Sequence, residues 1–376
     1  MPADFLSFLA AGLTGSPWWL LAIWFVCVTQ LTIFAVTLYL HRSQAHRGVE
    51  FHPLVAHVFR FWAWLTTAMV TKDWVAIHRK HHAKCETEED PHSPQVHGIA
   101  KVLFHGVVLY KQARSDRALV EQYGSGTPDD WIERRVYARM PPLGPALMLA
   151  IDFALFGVIG IAIWAIQMLW IPVLAAGVVN GLGHWWGYRN FETGDSSTNL
   201  TPWAFFIGGE ELHNNHHAYP SSSKFALRRY EFDIGWLAIR ILSALRLAQI
   251  TRVAPSLAIR PNVQMPDMET VKALLTHRFG VMRDYFRGVI VPVLREEAAH
   301  AGDRMALLRG RLRRALANNG RWLDDASRER MSAWVRERPL VATVMDYQRR
   351  LAETLERSAR QGEALREASR AWCEDA

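Results

Sequence analysis

Residues 17–46 read PWWLLAIWFVCVTQLTIFAVTLYLHRSQAH, an uncharged stretch of 24 residues followed by two histidines. As an α-helix the uncharged part, 17–40, would be about 36 Å long, and the hydrocarbon core of a bilayer is roughly 30 Å thick. No Lys or Arg precedes it and no small-residue cleavage site follows it, so a signal peptide is not expected. The stretch predicts a membrane crossing that ends in candidate metal ligands.

A second apolar region, 145–186, contains 42 residues and only two ionisable side chains. Its length suits two further crossings, which we expect at about 145–165 and 168–187. The reversal between them is expected near 167–172, where two tryptophans could lie at an interface. The sequence therefore predicts three crossings in all.

The segment 53–70 is only moderately apolar, because it carries a histidine and an arginine among aromatic residues. We expect it to lie along the membrane interface rather than to cross. Lys and Arg are absent from 1–16, but eleven of them fall within 71–144. The positive-inside rule then places the N-terminus outside and the long loops in the cytoplasm, as in a bacterial inner membrane protein.

Beyond the apolar regions the chain changes character. From 261 to 376, apolar residues recur at helical spacing between charges of both signs, which predicts a cytoplasmic helical extension. The sequence thus divides into an N-terminal segment (1–16), a membrane domain (17–260) and this extension. We expect an all-α protein: integral membrane helices, a cytosolic helical cap with a histidine-rich di-metal site, and the extension. No dense basic run coincides with a nucleic-acid-binding motif, so no nucleic acid partner is expected.

Nine of the sixteen histidines lie in four short groups. The groups are HRSQAH (41–46), HRKHH (78–82), HNNHH (213–217) and the single histidine of NGLGH (180–184). Positions i, i+3 and i+4 share one helix face, so HRKHH and HNNHH can each direct three imidazoles to one point. His41 and His46 lie about 140° apart on an ideal helix, so the helix end must unwind there or two metals must share them. Nine nitrogens exceed one coordination shell, which indicates two ions.

Neutral imidazole suits first-row transition metals, and the three cysteines form no CxxC pair. Two non-haem metals held mainly by nitrogen at a membrane face favour iron and oxygen chemistry. Two alternatives stay open: a di-zinc hydrolase, and a histidine-rich metal transporter that is not an enzyme. All nine ligands must converge, so the four groups must lie on one side of the membrane.

Four motifs give the chain a resemblance to a known family. They are HRSQAHR (41–47), DWVAIHRKHHAKCETEEDPHSP (73–94), NGLGHWWGYRNFE (180–192) and GGEELHNNHHAYP (208–220). In order and spacing they resemble the membrane-bound fatty acyl desaturases, particularly the delta-9 branch with its stearoyl-CoA and bacterial acyl-lipid enzymes, over about 17–255. The resemblance implies a di-iron enzyme that uses O2 and two external electrons to place a cis double bond in a saturated acyl chain.

The resemblance also implies roles for individual residues. The nine implied iron ligands are His41, His46, His78, His81, His82, His184, His213, His216 and His217. Asn180 is expected to hold a water near one iron. Asp90, Glu210 and Glu211 are candidates for orienting ligand imidazoles, and Trp74, Trp185 and Trp186 for lining the acyl channel.

No fused electron carrier is visible, since the chain has neither a cysteine cluster nor a GxGxxG fingerprint. A separate ferredoxin-like or cytochrome-like donor is therefore expected. The acyl substrate could arrive on coenzyme A or in a membrane lipid, with its headgroup at the basic cytosolic surface. A histidine-box hydroxylase acting on alkanes or lipids is the nearest alternative enzyme, because the same oxidant can return OH to the substrate.

Overall fold

The computed structural model describes residues 2–255, 268–301, 315–317, 320, 323 and 325–374. Parts of the predicted extension, including 261–267 and 302–314, lie outside the described residues. The chain divides into two compact units. The first comprises Met1–Arg189 and Asp195–Ala254, and the second comprises Asn190–Gly194 and Pro255–Ala376.

Helices dominate the first unit, and the all-α prediction is confirmed. The α-helices are α1 (Pro2–Ala11), α2 (Trp18–Phe34), α3 (Pro53–Thr67), α4 (Thr71–Lys84), α5 (Pro94–His97), α6 (Ile99–Ser115), α7 (Arg117–Tyr123), α8 (Leu143–Phe156), α9 (Val158–Ile171), α10 (His213–Ala218) and α11 (Ile234–Ala244). Wider π-helical turns form Ala35–Ala45, Glu133–Tyr137 and Pro172–Val179, and a 3₁₀ turn forms Leu182–His184. Strand β1 (Val49–Phe51) pairs antiparallel with β4 (Ala248–Ile250), and β2 (Trp203–Ala204) pairs parallel with β3 (Phe232–Asp233).

Two continuous helices are long and apolar enough to cross a membrane, Trp18–Ala45 and Val158–His184. The first joins α2 to its π-helical continuation, and the second joins α9 to the π-helical turn and the 3₁₀ turn. Each continuous helix ends at a histidine group. The helix α8, with 14 residues, is about 21 Å long and shorter than a hydrocarbon core.

The expected reversal near 167–172 is wrong. The structure turns at Gly157, whose φ of 62° and ψ of −144° are accessible essentially to glycine alone. A Cβ at Gly157 would lie 2.5 Å from the Leu9 carbonyl oxygen, so α1 packs directly on this turn. Pro172 does not break α9, because the chain widens into π-helical turns there and the missing N–H is accommodated. The apolar region is therefore a short helix followed by a long one, not two equal crossings.

Helix α3 contains the ionisable residues that made 53–70 ambiguous. Pro53 occupies its first turn, and Ala68, with a φ of 57°, ends it. Arg60 is buried and pairs with the Asp130 carboxylate at 2.6 Å, with Glu133 at 3.6 Å. The helix packs against α8 and the π-helical segment Ala35–Ala45, so its polar face meets protein groups of the same unit.

A buried ion pair ties the first long helix to Asp233, the residue that caps the N-terminus of α11. Arg42 Nη1 and Nη2 donate to the two carboxylate oxygens of Asp233 at 3.1 and 3.0 Å, and both side chains are inaccessible to solvent. Gly209 leaves room for this arginine, since a Cβ there would lie 2.1 Å from Arg42 Nη2. Bidentate geometry of this kind fixes orientation. Arg42 Nη2 also donates to the Gly208 carbonyl at 2.8 Å, which holds HRSQAH next to the loop that leads into HNNHH.

The second unit is also helical. Its described helices are α12 (Met268–Thr276), α13 (Arg278–Tyr285), α14 (Val291–Ala301), α15 (Asp325–Arg336) and α16 (Pro339–Glu374), with π-helical turns at Phe286–Ile290. Phe286, Ile290, Leu316 and Val341 form the centre of its own hydrophobic core. The helical character predicted for the extension is confirmed for its described residues.

Candidate metal centre

The π-helical turns solve the spacing problem of HRSQAH. In a π-helix the N–H of residue i+5 bonds the carbonyl of residue i, and His46 N–H donates to the His41 carbonyl at 3.1 Å. The wider turn brings positions five apart onto neighbouring faces, and the two imidazole centroids lie 4.9 Å apart. The predicted unwinding of the helix end is thus a widening into π-helical geometry.

Helices α4 and α10 each divide their three histidines between two places. From α4, His78 and His82 face the HRSQAH rings, and His46 Nε2 lies 2.8 Å from His78 Nε2. From α10, His216 Nε2 lies 3.0 Å from His41 Nε2 and 2.9 Å from His82 Nε2. In this first group, the ligand atoms of five histidines all lie within 4.8 Å of one another: His41, His46, His78, His82 and His216.

The remaining four of the nine histidines form a second group. His184 Nε2 lies 3.0 Å from His213 Nε2, and ligand atoms of His81, His184 and His217 lie within 4.8 Å of one another. The two groups adjoin, since the His82 and His217 rings stack with centroids 4.4 Å apart. The structure therefore brings together all nine histidines singled out in the sequence, five in one group and four in the next.

Carboxylates stand behind four of these rings. Glu210 lies 2.7 Å from His41 Nδ1, and Asp90 lies 3.0 Å from His81 Nδ1. The remaining two pairs are Asp195 with His217 Nδ1 at 2.9 Å and Glu86 with His184 Nδ1 at 3.4 Å. A ring that donates Nδ1–H to a carboxylate presents the lone pair of Nε2 on its other side. The carboxylates thus turn the Nε2 atoms toward the centre of each group.

Electrostatics keep most of the rings neutral. Burial lowers the pKa of His78, His82, His213 and His216 well below the usual value of 6.5. Burial acts the same way on His81, but the neighbouring Asp90 carboxylate outweighs it and raises the His81 pKa. Neutral imidazole is the form that ligates metals, so the environment favours the binding form at most positions.

The donor set fits two transition-metal ions. Nε2 of the buried His217 has no hydrogen-bond partner among the described residues, and Nε2 atoms from neighbouring helices approach to about 3 Å without a group between them. Lone pairs that converge in this way are stabilised by a cation. Nitrogen donors backed by carboxylates are typical of first-row metal sites.

A largely apolar cavity opens onto both groups. Its lining includes His41 and His78 of the first group and His213 of the second. Asn180 also lines it, and so does Trp74, whose ring stacks on His78 with centroids 5.0 Å apart. The cavity therefore leads from the helices of the first unit directly to the histidines.

Three residues expected at the site lie elsewhere. Trp185 and Trp186 are 48% and 60% exposed and are not among the residues that line this cavity. Because the helix ends at His184, both tryptophans lie beyond its end and not on its face. Glu211 accepts hydrogen bonds from the backbone amides of Phe206, Ile207 and Gly209 and contacts no ligand imidazole among the described contacts. It shapes the loop before α10.

Three residues at the site were not anticipated: Glu86, Asp195 and Cys85. Glu86 accepts from the Ser196 amide at 2.6 Å as well as facing His184, and Asp195 directly precedes that serine. The absence of a CxxC pair predicts no thiolate ligand, yet Cys85 Sγ lies 4.0 Å from His81 Nε2. The one sequence signal was the spacing His81–Cys85, which is i, i+4 on α4 and its C-terminal cap.

Comparison with known proteins agrees with this geometry. The sequence model of the fatty acid desaturase family matches residues 16–234. A probable chloroplastic lipid desaturase from Arabidopsis thaliana is 30% identical over 60% of this chain and 61% of its own length. A delta-9 acyl-lipid desaturase of the same plant is 30% identical over 58% of this chain and 70% of its own. An icosanoyl-CoA 5-desaturase from Limnanthes douglasii is 31% identical over 57% of this chain and 60% of its own.

Proposed function

The chain belongs to the fatty acid desaturase family, and from this premise we propose that it is a di-iron, O2-dependent acyl desaturase. Its product would carry a cis double bond, at the delta-9 position, in a previously saturated acyl chain. The observation that carries the proposal is the pair of histidine groups at the end of an apolar cavity.

The metal part of the proposal rests on the donor set. The five imidazoles of the first group would together hold one iron, and the four of the second group would hold the other. The carboxylates that fix the rings are Asp90, Glu86, Asp195 and Glu210. Two irons bound there would supply O2 activation: with two donor electrons and two protons, O2 takes two hydrogens from adjacent methylenes and leaves a cis alkene and two waters. The remaining catalytic work is positioning.

The cavity would position the acyl chain. Its lining follows one face of α9 and its continuation from Gln167 to Asn180, 14 residues and about 20 Å of helix. Ile33, Val36 and Ile171 are apolar residues of this lining. A methylene carries no charge or dipole, so shape alone can select which carbons reach the histidines. The same apolar walls would exclude bulk water from the reacting carbons.

Two lining residues have proposed roles beside the histidines. Asn180 is placed one turn before His184 on the continuation of α9 and would hold a water next to the second iron. Trp74 stacks on His78 and would confine both the ring and the passing acyl chain. Both roles are positioning roles.

We propose a bacterial inner membrane setting with the histidines on the cytoplasmic face. Trp18–Ala45 and Val158–His184 would both span the membrane toward that face, and α8 would return the chain to the outer side between them. The acyl chain would be presented on coenzyme A or in a phospholipid, and the relatives' names include both acyl-lipid and acyl-CoA enzymes. Electrons would come from a separate ferredoxin-like or cytochrome-like protein. The charged second unit would lie in the cytoplasm.

Expression in a desaturase-deficient host tests this function. Gas chromatography of the total lipids should reveal new cis-monounsaturated chains, and the position of the double bond follows from the fragments of derivatised products. The variant His216→Ala removes one nitrogen of the first group and should abolish the product without preventing membrane insertion. Its matched control, His277→Ala, changes a histidine outside both groups and should retain full activity.

Two results would contradict the proposal. Hydroxylated chains without new alkenes would assign the site to the hydroxylase alternative. Full activity of His216→Ala, confirmed at equal protein level in the membrane, would exclude the first histidine group from the reaction.

A further inference from the structure

Cys85 caps the C-terminus of α4. It follows Lys84, the last residue of the helix, and lies four positions after His81. One turn of helix therefore carries its side chain to the same side as the His81 ring. The cysteine is partly buried and forms no disulfide.

Its sulfur lies among the nitrogens of the second group. Ligand atoms of Cys85, His81, His184 and His217 all fall within 4.8 Å of one another, and Sγ is 4.0 Å from His81 Nε2. Nε2 of the buried His217 is the independent sign of a ligand here, since no described residue satisfies it. Ligand atoms that share one metal are separated by about 3–4.5 Å, given metal–nitrogen and metal–sulfur bonds of about 2.1 and 2.3 Å.

From this geometry we propose that Cys85 is a further ligand of the metal held by the second histidine group, through its thiolate. The inference rests on the proposed metal centre and is independent of the acyl reaction. On binding, the S–H bond breaks, a metal–sulfur bond forms, and the proton leaves to solvent. No electron is transferred in this step.

A sulfur ligand would distinguish the two metal positions chemically. The first group offers only imidazole nitrogens, whereas the second adds a soft, anionic donor. Thiolate shifts metal preference toward softer ions and adds negative charge to the site. The two positions should accordingly differ in affinity and in spectrum.

Cobalt substitution tests the inference on the full-length protein. Cys27 and Cys373 are the other cysteines of the chain, so the variant C27S/C373S leaves Cys85 as the single thiol. We expect this variant, loaded with Co2+ after iron removal, to show a thiolate-to-cobalt charge-transfer band in the near ultraviolet. The matched variant Cys85→Ser in the otherwise native chain should lose the band completely and keep the weaker visible bands of nitrogen-ligated cobalt.

Cobalt stoichiometry separates this inference from the metal centre itself. Two bound Co2+ without the charge-transfer band would overturn Cys85 ligation and leave the histidine site intact. A band that persists in Cys85→Ser would overturn it as well. Failure to bind cobalt at all would overturn both the inference and the metal centre. The spectrum of the C27S/C373S variant is decisive even if Cys85→Ser does not accumulate.

Discussion

Asp195 illustrates how single residues tune the histidine site. Its carboxylate lies 2.9 Å from His217 Nδ1, and although burial opposes ionisation, the His217 ring holds the Asp195 pKa well below its usual value. Asp195→Asn keeps the shape but removes the charge. We expect affinity for the second metal to fall about 10- to 100-fold while the first site is unchanged. Titration of the metal-free protein with metal measures the affinities of both sites.

The control for this substitution is Asp346→Asn, which removes a partly exposed carboxylate paired with Arg349 and Arg350 in the second unit. It should leave both metal affinities at the native value. Native affinity at both sites in Asp195→Asn would contradict the role given to that carboxylate.

The ligands and their carboxylate partners differ in how well sequence identifies them. The nine histidines stand out because i, i+3 and i+4 spacing has a direct meaning on a helix. Glu86 reaches His184 across 98 positions of sequence, and such a contact exists only once the long helices are packed. The family resemblance makes Asp90 and Glu210 candidates, and each lies beside a ligand imidazole. Glu211 is a candidate on the same basis, but its carboxylate accepts from backbone amides instead.

A buried carboxyl away from the histidines predicts a pH dependence of stability. Burial raises the Glu133 pKa to about 7. Arg60 lowers this pKa, and the nearby acids Asp130 and Asp73 raise it further. An acid whose folded pKa is raised loses stability as pH rises from its ordinary value near 4.5 to about 7. Glu133→Gln should therefore stabilise the protein at pH 8, on the order of 2 kcal/mol, and hardly at pH 4.5.

Thermal unfolding in detergent at the two pH values checks this. Glu121→Gln is the control, because Glu121 is an exposed acid paired with Lys72, and its replacement should give no such pH-dependent gain. An equal gain for Glu133→Gln at both pH values would contradict the assigned pKa.

Among the elements, the α8–α9 turn depends on one glycine. Gly157 has a φ of 62°, and an added Cβ would meet the Leu9 carbonyl oxygen at 2.5 Å. Gly157→Ala should cost about 1–3 kcal/mol from backbone strain alone, and more from displacement of α1. Gly15→Ala shares the positive φ but has no atom within 4 Å of the new Cβ, so we expect only about 1–2 kcal/mol. Chemical unfolding compares the two, and equal losses would contradict close packing of α1 on the turn.

The same turn shows which features of the helices can be predicted from the sequence and which cannot. Hydropathy locates the apolar regions because their composition is unmistakable, and the helix from residue 18 begins within one residue of the expected position. Hydropathy does not place a reversal inside 42 apolar residues. Pro172 looked like the breaking point, but π-helical turns absorb the proline, and the packing of α1 against Gly157 is a long-range fact. Likewise, the spacing of His41 and His46 predicts that the helix end departs from α-helical geometry, but it does not predict that the departure is a π-helical turn.

For the whole molecule, the two units have separate cores. Leu38, Leu40 and Ala63 belong to the core of the first unit, and Phe286, Ile290 and Leu316 to that of the second. All nine histidines lie in the first unit. A chain truncated after residue 255 should therefore still bind two metal ions, as elemental analysis of the purified protein would measure.

Electron donors give this truncation a functional readout. With an artificial donor the truncated chain should desaturate as the native protein does, because the cavity and the histidines are retained. Comparing a protein donor in parallel tests whether the second unit docks it. Loss of metal from the truncated chain would contradict the independence of the first unit.

The central claim, that folding gathers nine imidazoles around two irons next to an acyl cavity, is tested most directly by the metal content of protein with measured desaturase turnover. Elemental analysis combined with Mössbauer spectroscopy gives the identity, number and ligand type of the bound ions. The account predicts two irons per chain, both high-spin and largely nitrogen-ligated, with turnover proportional to iron. Fully active protein that contains zinc, or only one metal ion per chain, would contradict it.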